Sequence, residues 1–123
     1  MNIIIDTHIF LWAISEPDKI DVQKRIALES PANTVYVSSI SIVELMIKSS
    51  LGKLQINFDP VELAEQSGFD LLDFSAQDAM RLKNMPFHHK DPFDRMLIAQ
   101  SNARAFSLMS DDHKLSLYDC KLI

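Results

Sequence analysis

Cysteine is nearly absent from this chain, since Cys120 is the single one among its 123 residues. One cysteine cannot form an intramolecular disulfide, and it lacks the companion thiolates of a cysteine-type metal site. The sequence therefore excludes a disulfide-stapled fold and favours a reducing compartment.

Long apolar runs are also missing. No run approaches the ~20 residues that a transmembrane helix needs, and the opening segment Met1–Ile5 leads directly to Asp6 instead of following a basic leader region. We therefore expect no membrane segment and a cytoplasmic location. A length of 123 residues is typical of one compact unit, so we expect residues 1–123 to form a single domain.

Positive charge is scarce relative to negative charge. Lysine and arginine together number 12, against 17 aspartates and glutamates, which gives a formal net charge of -5. This deficit argues against a broad basic surface that would hold nucleic acid through its phosphates. A role on nucleic acid would need another positive source, and two divalent cations bound by clustered acids would cancel most of the negative charge.

Short apolar runs alternate with longer amphipathic segments. The short runs predict strands at residues 2–5, 34–37, 71–74 and 106–109, with a fifth, edge strand at residues 121–123. The longer segments predict six helices, at about 9–14, 19–29, from the serines at 38–41 to 51, 60–68, from Ser75 toward Pro86, and 92–103. Thr7 is the expected cap of the first helix, and Asp59 and Asp91, each followed by proline, are the expected caps of two later ones. This alternation indicates an α/β fold with a mostly parallel sheet of four or five strands, covered by helices on both faces.

Four acidic residues fall where such a sheet would place a ligand site, because ligands bind beyond the carboxyl ends of parallel strands. Asp6 follows the first strand, and Asp112 follows the fourth. Asp94 lies in the first turn of the last helix, and Glu44 is one turn into the helix after the second strand. Carboxylates forced together must protonate or take up cations, and all-oxygen ligands favour Mg²⁺ or Mn²⁺. The set suits metal-assisted hydrolysis of a phosphodiester.

Each acid also has an ordinary structural interpretation. Asp91 is a good helix N-cap by itself, and Asp94 could be its capping-box partner. Asp6 could be a loop carboxylate, and Asp112 could be a second cap. Glu44 is hardest to explain in this way, because an acid embedded in an apolar helix needs a partner.

The segment at residues 87–90 is a polar, basic loop. His88 and His89 are expected to be exposed there, and with Lys90 and Arg95 they could contact phosphate.

Two predicted helices carry more apolar side chains than one small core requires. These side chains are Phe10, Leu11 and Trp12 in one helix and Met46, Ile47 and Leu51 in the other. We expect part of this surface to form a groove for a protein partner.

Three motifs in a fixed order resemble those of PIN-domain proteins. They are residues 6–12 (DTHIFLW), residues 37–45 (VSSISIVEL) and residues 88–100 (HHKDPFDRMLIAQ), and they are followed by Ser110-Asp111-Asp112. The resemblance covers nearly the whole chain. More narrowly, the chain resembles the VapC-type toxins of type II toxin–antitoxin modules. This resemblance implies a three-layer α/β/α fold, Mg²⁺- or Mn²⁺-dependent endoribonuclease activity, a homodimer, and inhibition by a small cognate antitoxin.

The resemblance also implies roles for individual residues. Motif by motif, the catalytic and metal-binding acids of the family fall on Asp6, Glu44, Asp94 and Asp112. Thr7 and Ser110 match the hydroxyl positions that support the acidic site. Asp111 is the alternative for the fourth acid, and Asp112 is preferred for its distance from the short turn that follows.

Three other functions fit part of the pattern. A non-catalytic PIN-like domain would bind RNA or a protein, although the retention of all four acids counts against it. A receiver-like signalling domain also clusters acids and Mg²⁺, but it would carry paired acids after its first strand and a lysine after its fifth. A phosphatase with a nucleophilic aspartate would show Asp-x-Asp where this chain has Asp6-Thr7-His8.

Overall fold

A four-stranded parallel sheet forms the centre of the fold, which the computed structural model describes for all residues 1–123. Its strands are β1 (Asn2–Ile5), β2 (Thr34–Ser38), β3 (Asp70–Leu72) and β4 (Ser107–Met109). They lie in the order β3-β2-β1-β4, and every neighbouring pair is parallel. The central strand β1 therefore has β2 on one side and β4 on the other.

Six α-helices and two short 3-10 segments surround this sheet. The helices are α1 (Thr7–Ser15), α2 (Val22–Glu29), α3 (Ser39–Ser50), α4 (Pro60–Gln66), α5 (Ala76–Met80) and α6 (Pro92–Arg104). The 3-10 segments are Pro17–Lys19 and His113–Leu117. None of the helices combines the length and the hydropathy that crossing a membrane would require.

The sheet is covered on both faces because the side chains of each strand alternate. Ile3 and Ile5 of β1 belong to one buried cluster, which includes Phe10 of α1. Ile4 belongs to the other cluster, which includes Leu97 of α6. Burying one such isoleucine contributes roughly 1.5–3 kcal/mol. The predicted three-layer α/β/α architecture is thus confirmed.

The cap of α1 is Asp6, not Thr7 as the sequence predicts. The backbone of Asp6 is extended, and its Oδ1 accepts a hydrogen bond of 2.8 Å from the amide of Ile9. Thr7 is already the first residue of the helix, and its hydroxyl donates to Glu44 instead. The predicted cap of α6 is confirmed, since Asp91 accepts from the first amides of that helix.

The predicted edge strand at residues 121–123 is reduced to one parallel bridge between Leu108 and Leu122. The residues that lead into this segment form tight turns, and the amide of Leu122 donates to the carbonyl of Cys120 at 3.0 Å. An extended strand needs its amides free for the neighbouring strand. The sheet therefore has four strands.

Two helices are shorter than predicted. α2 begins at Val22 because Asp21 caps it, while Pro17–Lys19 forms a 3-10 segment of its own. α5 ends at Met80, and residues 81–84 continue as turns.

An ion pair between a buried carboxylate and a partly exposed guanidinium joins α5 to α6. Asp78 is 1% exposed, and Arg104 donates to it from Nε at 3.0 Å and from Nη2 at 3.1 Å. Asp78 also forms a capping box with Ser75. Burial alone would raise the pKa of Asp78, but the hydrogen bonds from Arg104 and Ser75 outweigh it and hold the pKa below its usual value. Their contribution is therefore present above the pKa of unfolded aspartate and is lost as the pH falls through the lowered pKa.

Replacing Arg104 with glutamine should lower the free energy of unfolding by about 2–4 kcal/mol at neutral pH, because a buried carboxylate loses its cation. The loss should begin to shrink below about pH 4, where aspartate in the unfolded chain takes up a proton, and should continue to shrink as the pH falls through the lowered pKa of Asp78 in the folded protein. Urea unfolding followed by circular dichroism at several pH values measures it. Arg81→Gln is the matched control, since Arg81 is exposed and forms no ion pair. Equal losses in the two variants would contradict the prediction.

Candidate metal centre

The predicted acids lie near the carboxyl ends of the two strands β1 and β4. β1 ends at Ile5 and β4 at Met109, so Asp6 and Ser110 are the first residues beyond them. The amide of Asp6 donates to the carbonyl of Met109 at 3.1 Å, which keeps the two strand ends together. Because β2 and β4 lie on opposite sides of β1, the connections diverge here and leave a crevice.

An open cleft of about 390 Å³ occupies this position. Its lining consists mainly of acidic and aromatic side chains: Asp6, His8, Trp12, His89, Asp91, Asp94, Asp111 and Asp112. Five of these eight residues are aspartates, so the cleft repels anions unless a cation enters it. Asp91 lines the cleft and also caps α6, because its Oδ1 accepts from the amides of Phe93 and Asp94 at 2.8 and 3.2 Å.

His89 lies between two of the predicted acids. Its Nε2 is 2.9 Å from Asp94 Oδ2 and 3.2 Å from Asp112 Oδ2. These carboxylates come from α6 and from the loop after β4, so the imidazole connects two separate elements. The structure therefore brings Asp94 and Asp112 together as the sequence predicts, but with a histidine between them.

Two carboxylates in the cleft are costly to ionise. Burial is the main reason that the pKa of Asp94 is raised to about 6, and the charge of Asp91 adds to it, against the hydrogen bond to His89. Burial also raises the pKa of Asp6, although its hydrogen bond to Ser110 acts in the opposite direction. A cation bound beside Asp6 and Asp94 would favour their ionised forms.

Glu44 has partners for both of its carboxylate oxygens. It is buried, and the hydroxyl of Thr7 donates to its Oε1 at 2.7 Å. That hydroxyl also lies 3.0 Å from the hydroxyl of Ser41. The ammonium of Lys48, one turn along α3, donates to Oε2 at 2.6 Å. The hydrogen bond to Glu44 raises the pKa of Lys48, and the charges of Asp91 and Asp94 add to it, so this ion pair is electrostatically coupled to the cleft.

The two neighbouring aspartates after β4 have different partners. Asp111 pairs with Lys24 of α2 at 2.6 Å, and the same ammonium donates to the carbonyl of Ser110 at 3.2 Å. Asp112 faces His89 through Oδ2, while its Oδ1 accepts from the amide of Lys114 at 2.9 Å and caps the following 3-10 segment. The hydroxyl of Ser110 accepts from the amide of Asp112 at 3.0 Å, which orients this loop.

The predicted phosphate contacts separate into two groups. His88 and Lys90 are exposed. Arg95 is buried, and its Nη1 donates to the carbonyl of Pro86 at 2.7 Å and to the hydroxyl of Tyr118 at 3.0 Å. The guanidinium of Arg95 therefore supports the loop from inside and is absent from the lining of the cleft.

Three partners of the site residues were not predicted from the sequence. The sequence did contain a signal for the pairing of Lys48 with Glu44, since a spacing of four residues is that of an ion pair along a helix. No sequence pattern indicated the pairing of Lys24 with Asp111, because the two residues are 87 positions apart in the chain. No sequence pattern indicated the role of Tyr118 either, although its hydroxyl accepts a hydrogen bond of 2.9 Å from the amide of His89.

The donor set of the cleft fits a divalent cation. Ligand atoms of His89, Asp94 and Asp112 all lie within 4.8 Å of one another, and Asp6 lines the same cleft. Carboxylate oxygens are the ligands that Mg²⁺ and Mn²⁺ take in proteins, and an imidazole nitrogen suits transition metals.

Comparison with known families assigns the fold. Residues 3–120 match the PIN domain. The chain belongs to the PIN-domain family. No curated protein sequence matches this PIN domain significantly.

Solved structures of toxin–antitoxin complexes share the architecture of this PIN domain. A chain of VapBC2 from Rickettsia felis, solved with a promoter DNA fragment, is 18% identical with a TM-score of 0.76, and the match covers 100% of this chain and 98% of that one. A chain of DNA-bound VapBC from Salmonella typhimurium is 16% identical with a TM-score of 0.69, covering 100% and 97%. A chain of VapBC-1 from Haemophilus influenzae is 17% identical with a TM-score of 0.67, covering 100% and 97%. At these identities the likeness establishes the fold.

Asp94→Asn should raise the free energy of unfolding at pH 8 in the presence of a chelator by about 1–3 kcal/mol, because ionising a partly buried carboxylate with a raised pKa costs stability. The wild-type protein loses this stability as the pH rises from the pKa of aspartate in the unfolded chain through the pKa of Asp94 in the folded protein, which is about 6. The gain should therefore disappear below about pH 4. Chemical denaturation at both pH values measures it. Asp111→Asn is the control and should show no gain, since Asp111 is paired with Lys24; a gain in both variants would refute this assignment.

Proposed function

We propose that this PIN domain is a metal-dependent endoribonuclease and the toxin of a VapBC-type toxin–antitoxin pair. The observation that carries the proposal is the acidic cleft, where Asp6, Asp94 and Asp112 converge with raised pKa values for the first two. Such an arrangement costs stability unless a cation compensates it. We take residues 1–123 to act as one nuclease domain.

Asp6, Asp94 and Asp112 would hold Mg²⁺ or Mn²⁺ in this cleft, with Glu44 as the fourth acid. Bound there, the ion would activate water as the nucleophile and neutralise the leaving oxygen of an RNA phosphodiester. Glu44 can join only by sharing or exchanging its contact with Lys48, because both its oxygens already have donors.

The other residues of the site would orient these acids and the substrate. Thr7 fixes the carboxylate of Glu44, and Ser110 fixes the backbone at Asp112. His88 and Lys90 are exposed on the two sides of His89 in the chain, and we propose them as contacts for RNA phosphates. A phosphate contact by Arg95 would require its buried guanidinium to release Pro86 and Tyr118.

Charge-removing substitutions test the proposed chemistry. Asp6→Asn, Glu44→Gln, Asp94→Asn and Asp112→Asn should each reduce RNA cleavage at least about 100-fold, since each removes a candidate metal ligand. Purified protein without antitoxin is incubated with diverse RNAs and Mg²⁺ or Mn²⁺, and the RNA ends are sequenced. A chelator should abolish the cuts, and adding Mn²⁺ should restore them.

Two neighbouring acids provide the controls. Asp91→Asn should keep most activity, because asparagine is nearly as good an N-cap as aspartate. Asp111→Asn should be milder than Asp112→Asn, because Asp111 pairs with Lys24. A folded wild-type protein that binds RNA but never cleaves it, with any of the ions, would favour the rival function of a non-catalytic PIN-like domain.

The outer face of α3 is the surface that best supports the proposed partners. Val43, Met46, Ile47 and Leu51 are each between 42% and 62% exposed, and they recur at the spacing of one helix face. Of the predicted groove residues in α1, Phe10 is fully buried and belongs to the core. We propose that the face of α3 contributes to the homodimer and to the antitoxin interface.

Met46→Glu combined with Ile47→Glu should weaken self-association and antitoxin binding at least about tenfold, because charges would replace apolar contacts in the interface. Light scattering of the free protein and co-purification with the product of the neighbouring gene measure the two associations. Met80→Glu is the matched control, since Met80 is 73% exposed but lies on α5. Monomer at all concentrations together with no co-purifying antitoxin for the wild type would count against both partners.

A further inference from the structure

His89 is the one side chain of the cleft that touches two of the candidate metal ligands. Its Nε2 lies 2.9 Å from Asp94 Oδ2 and 3.2 Å from Asp112 Oδ2. Its side chain is only 14% exposed, less than either carboxylate. The imidazole is thus part of the cleft and not the exposed loop residue that the sequence suggests.

The two distances from His89 Nε2 equal those of hydrogen bonds and also those of neighbouring ligands around one ion. Adjacent ligands of an octahedral ion with bonds of about 2.1 Å lie about 3.0 Å apart. The two distances from His89 Nε2 lie on either side of this value. The three ligand atoms lie within 4.8 Å of one another, so one ion could contact all of them once His89 Nε2 carries no proton.

The backbone that carries His89 is held in place by a buried tyrosine. The hydroxyl of Tyr118 accepts from the amides of His88 and His89 at 3.1 and 2.9 Å. The buried guanidinium of Arg95 donates to the same hydroxyl at 3.0 Å. This network fixes where the loop enters the cleft, so the imidazole is positioned before any ion binds.

We infer that His89 supplies a nitrogen ligand to the divalent-cation site beside Asp94 and Asp112, and that this gives the chain a preference for Mn²⁺ over Mg²⁺. The inference rests on the proposed metal dependence. Mg²⁺ takes oxygen ligands and dehydrates reluctantly, whereas imidazole binds first-row transition ions more readily. A carboxylate-only site would lack this source of selectivity.

Direct ion binding tests the inference without using activity. Mn²⁺ is titrated into the metal-free protein, and the unbound Mn²⁺ is measured by electron paramagnetic resonance. Mg²⁺ binding to the same protein is measured by calorimetry. His89→Ala should weaken Mn²⁺ binding at least about tenfold and Mg²⁺ binding less than about threefold. The visible absorption spectrum of the protein loaded with Co²⁺ should also change, because one nitrogen ligand is lost.

The neighbouring histidine provides the matched control. His88→Ala should leave both affinities and the Co²⁺ spectrum unchanged, because His88 packs edge-on against the ring of Tyr118 and is absent from the cleft lining. His89→Gln is the second variant, since its longer side chain can bring an amide oxygen to the position of Nε2, and it should abolish the preference for Mn²⁺ while retaining Mg²⁺ binding.

The remaining outcomes separate this inference from the proposed function. Equal losses for both ions in His89→Ala, or no loss, would overturn the role of His89 while leaving the metal site intact. Tighter binding of both ions by that variant would also overturn it and would indicate that His89 blocks the site. If the wild-type protein binds neither ion at millimolar concentration, the proposed metal dependence fails together with the inference.

Discussion

Like-charge repulsion at one end of the sheet is the constraint on which the rest of the site depends. β1 and β4 run parallel and end side by side, so the acids that follow them are delivered to one place. The start of α6 adds Asp91 and Asp94 to the same cleft. Hydrophobic burial on both faces of the sheet supplies the free energy that holds these carboxylates together, because the carboxylates themselves oppose it. The arrangement is thus stable only with compensation from other groups.

The chain compensates some of these acids with its own cations and leaves others without one. Lys48 pairs with Glu44 and Lys24 pairs with Asp111, each at 2.6 Å. Asp6 has only a hydroxyl and a backbone amide as hydrogen-bond partners. Asp94 and Asp112 share the imidazole of His89, and Asp112 also accepts a hydrogen bond from the amide of Lys114. This division defines the part of the cleft that an external cation would enter. It also explains why Asp111 and Asp112, adjacent in sequence, should not be equivalent in function.

Local features of the fold could be predicted from the sequence, whereas the partners of the acidic side chains could not. Residues 2–5 form a strand because a short run of isoleucine can be buried on both faces of a sheet, and Asp91 caps α6 because it precedes a proline. Both signals are contained within a few residues. The contact between Lys24 and Asp111 and the burial of Arg95 depend on how distant elements pack, which no local pattern encodes. The fold class was therefore predictable, while the electrostatic environment of the site required the three-dimensional arrangement.

The net negative charge of the chain opposes the binding of RNA, which is itself a polyanion. With a net charge of -5, long-range attraction cannot bring a polyanion to the cleft. Each phosphate that approaches five aspartates meets repulsion unless the cleft already holds a cation. Cation binding should therefore precede RNA binding, and the ion would supply affinity as well as chemistry. A basic side chain from a protein partner could occupy the same negative cleft, so an inhibitor and the ion would compete for one set of carboxylates.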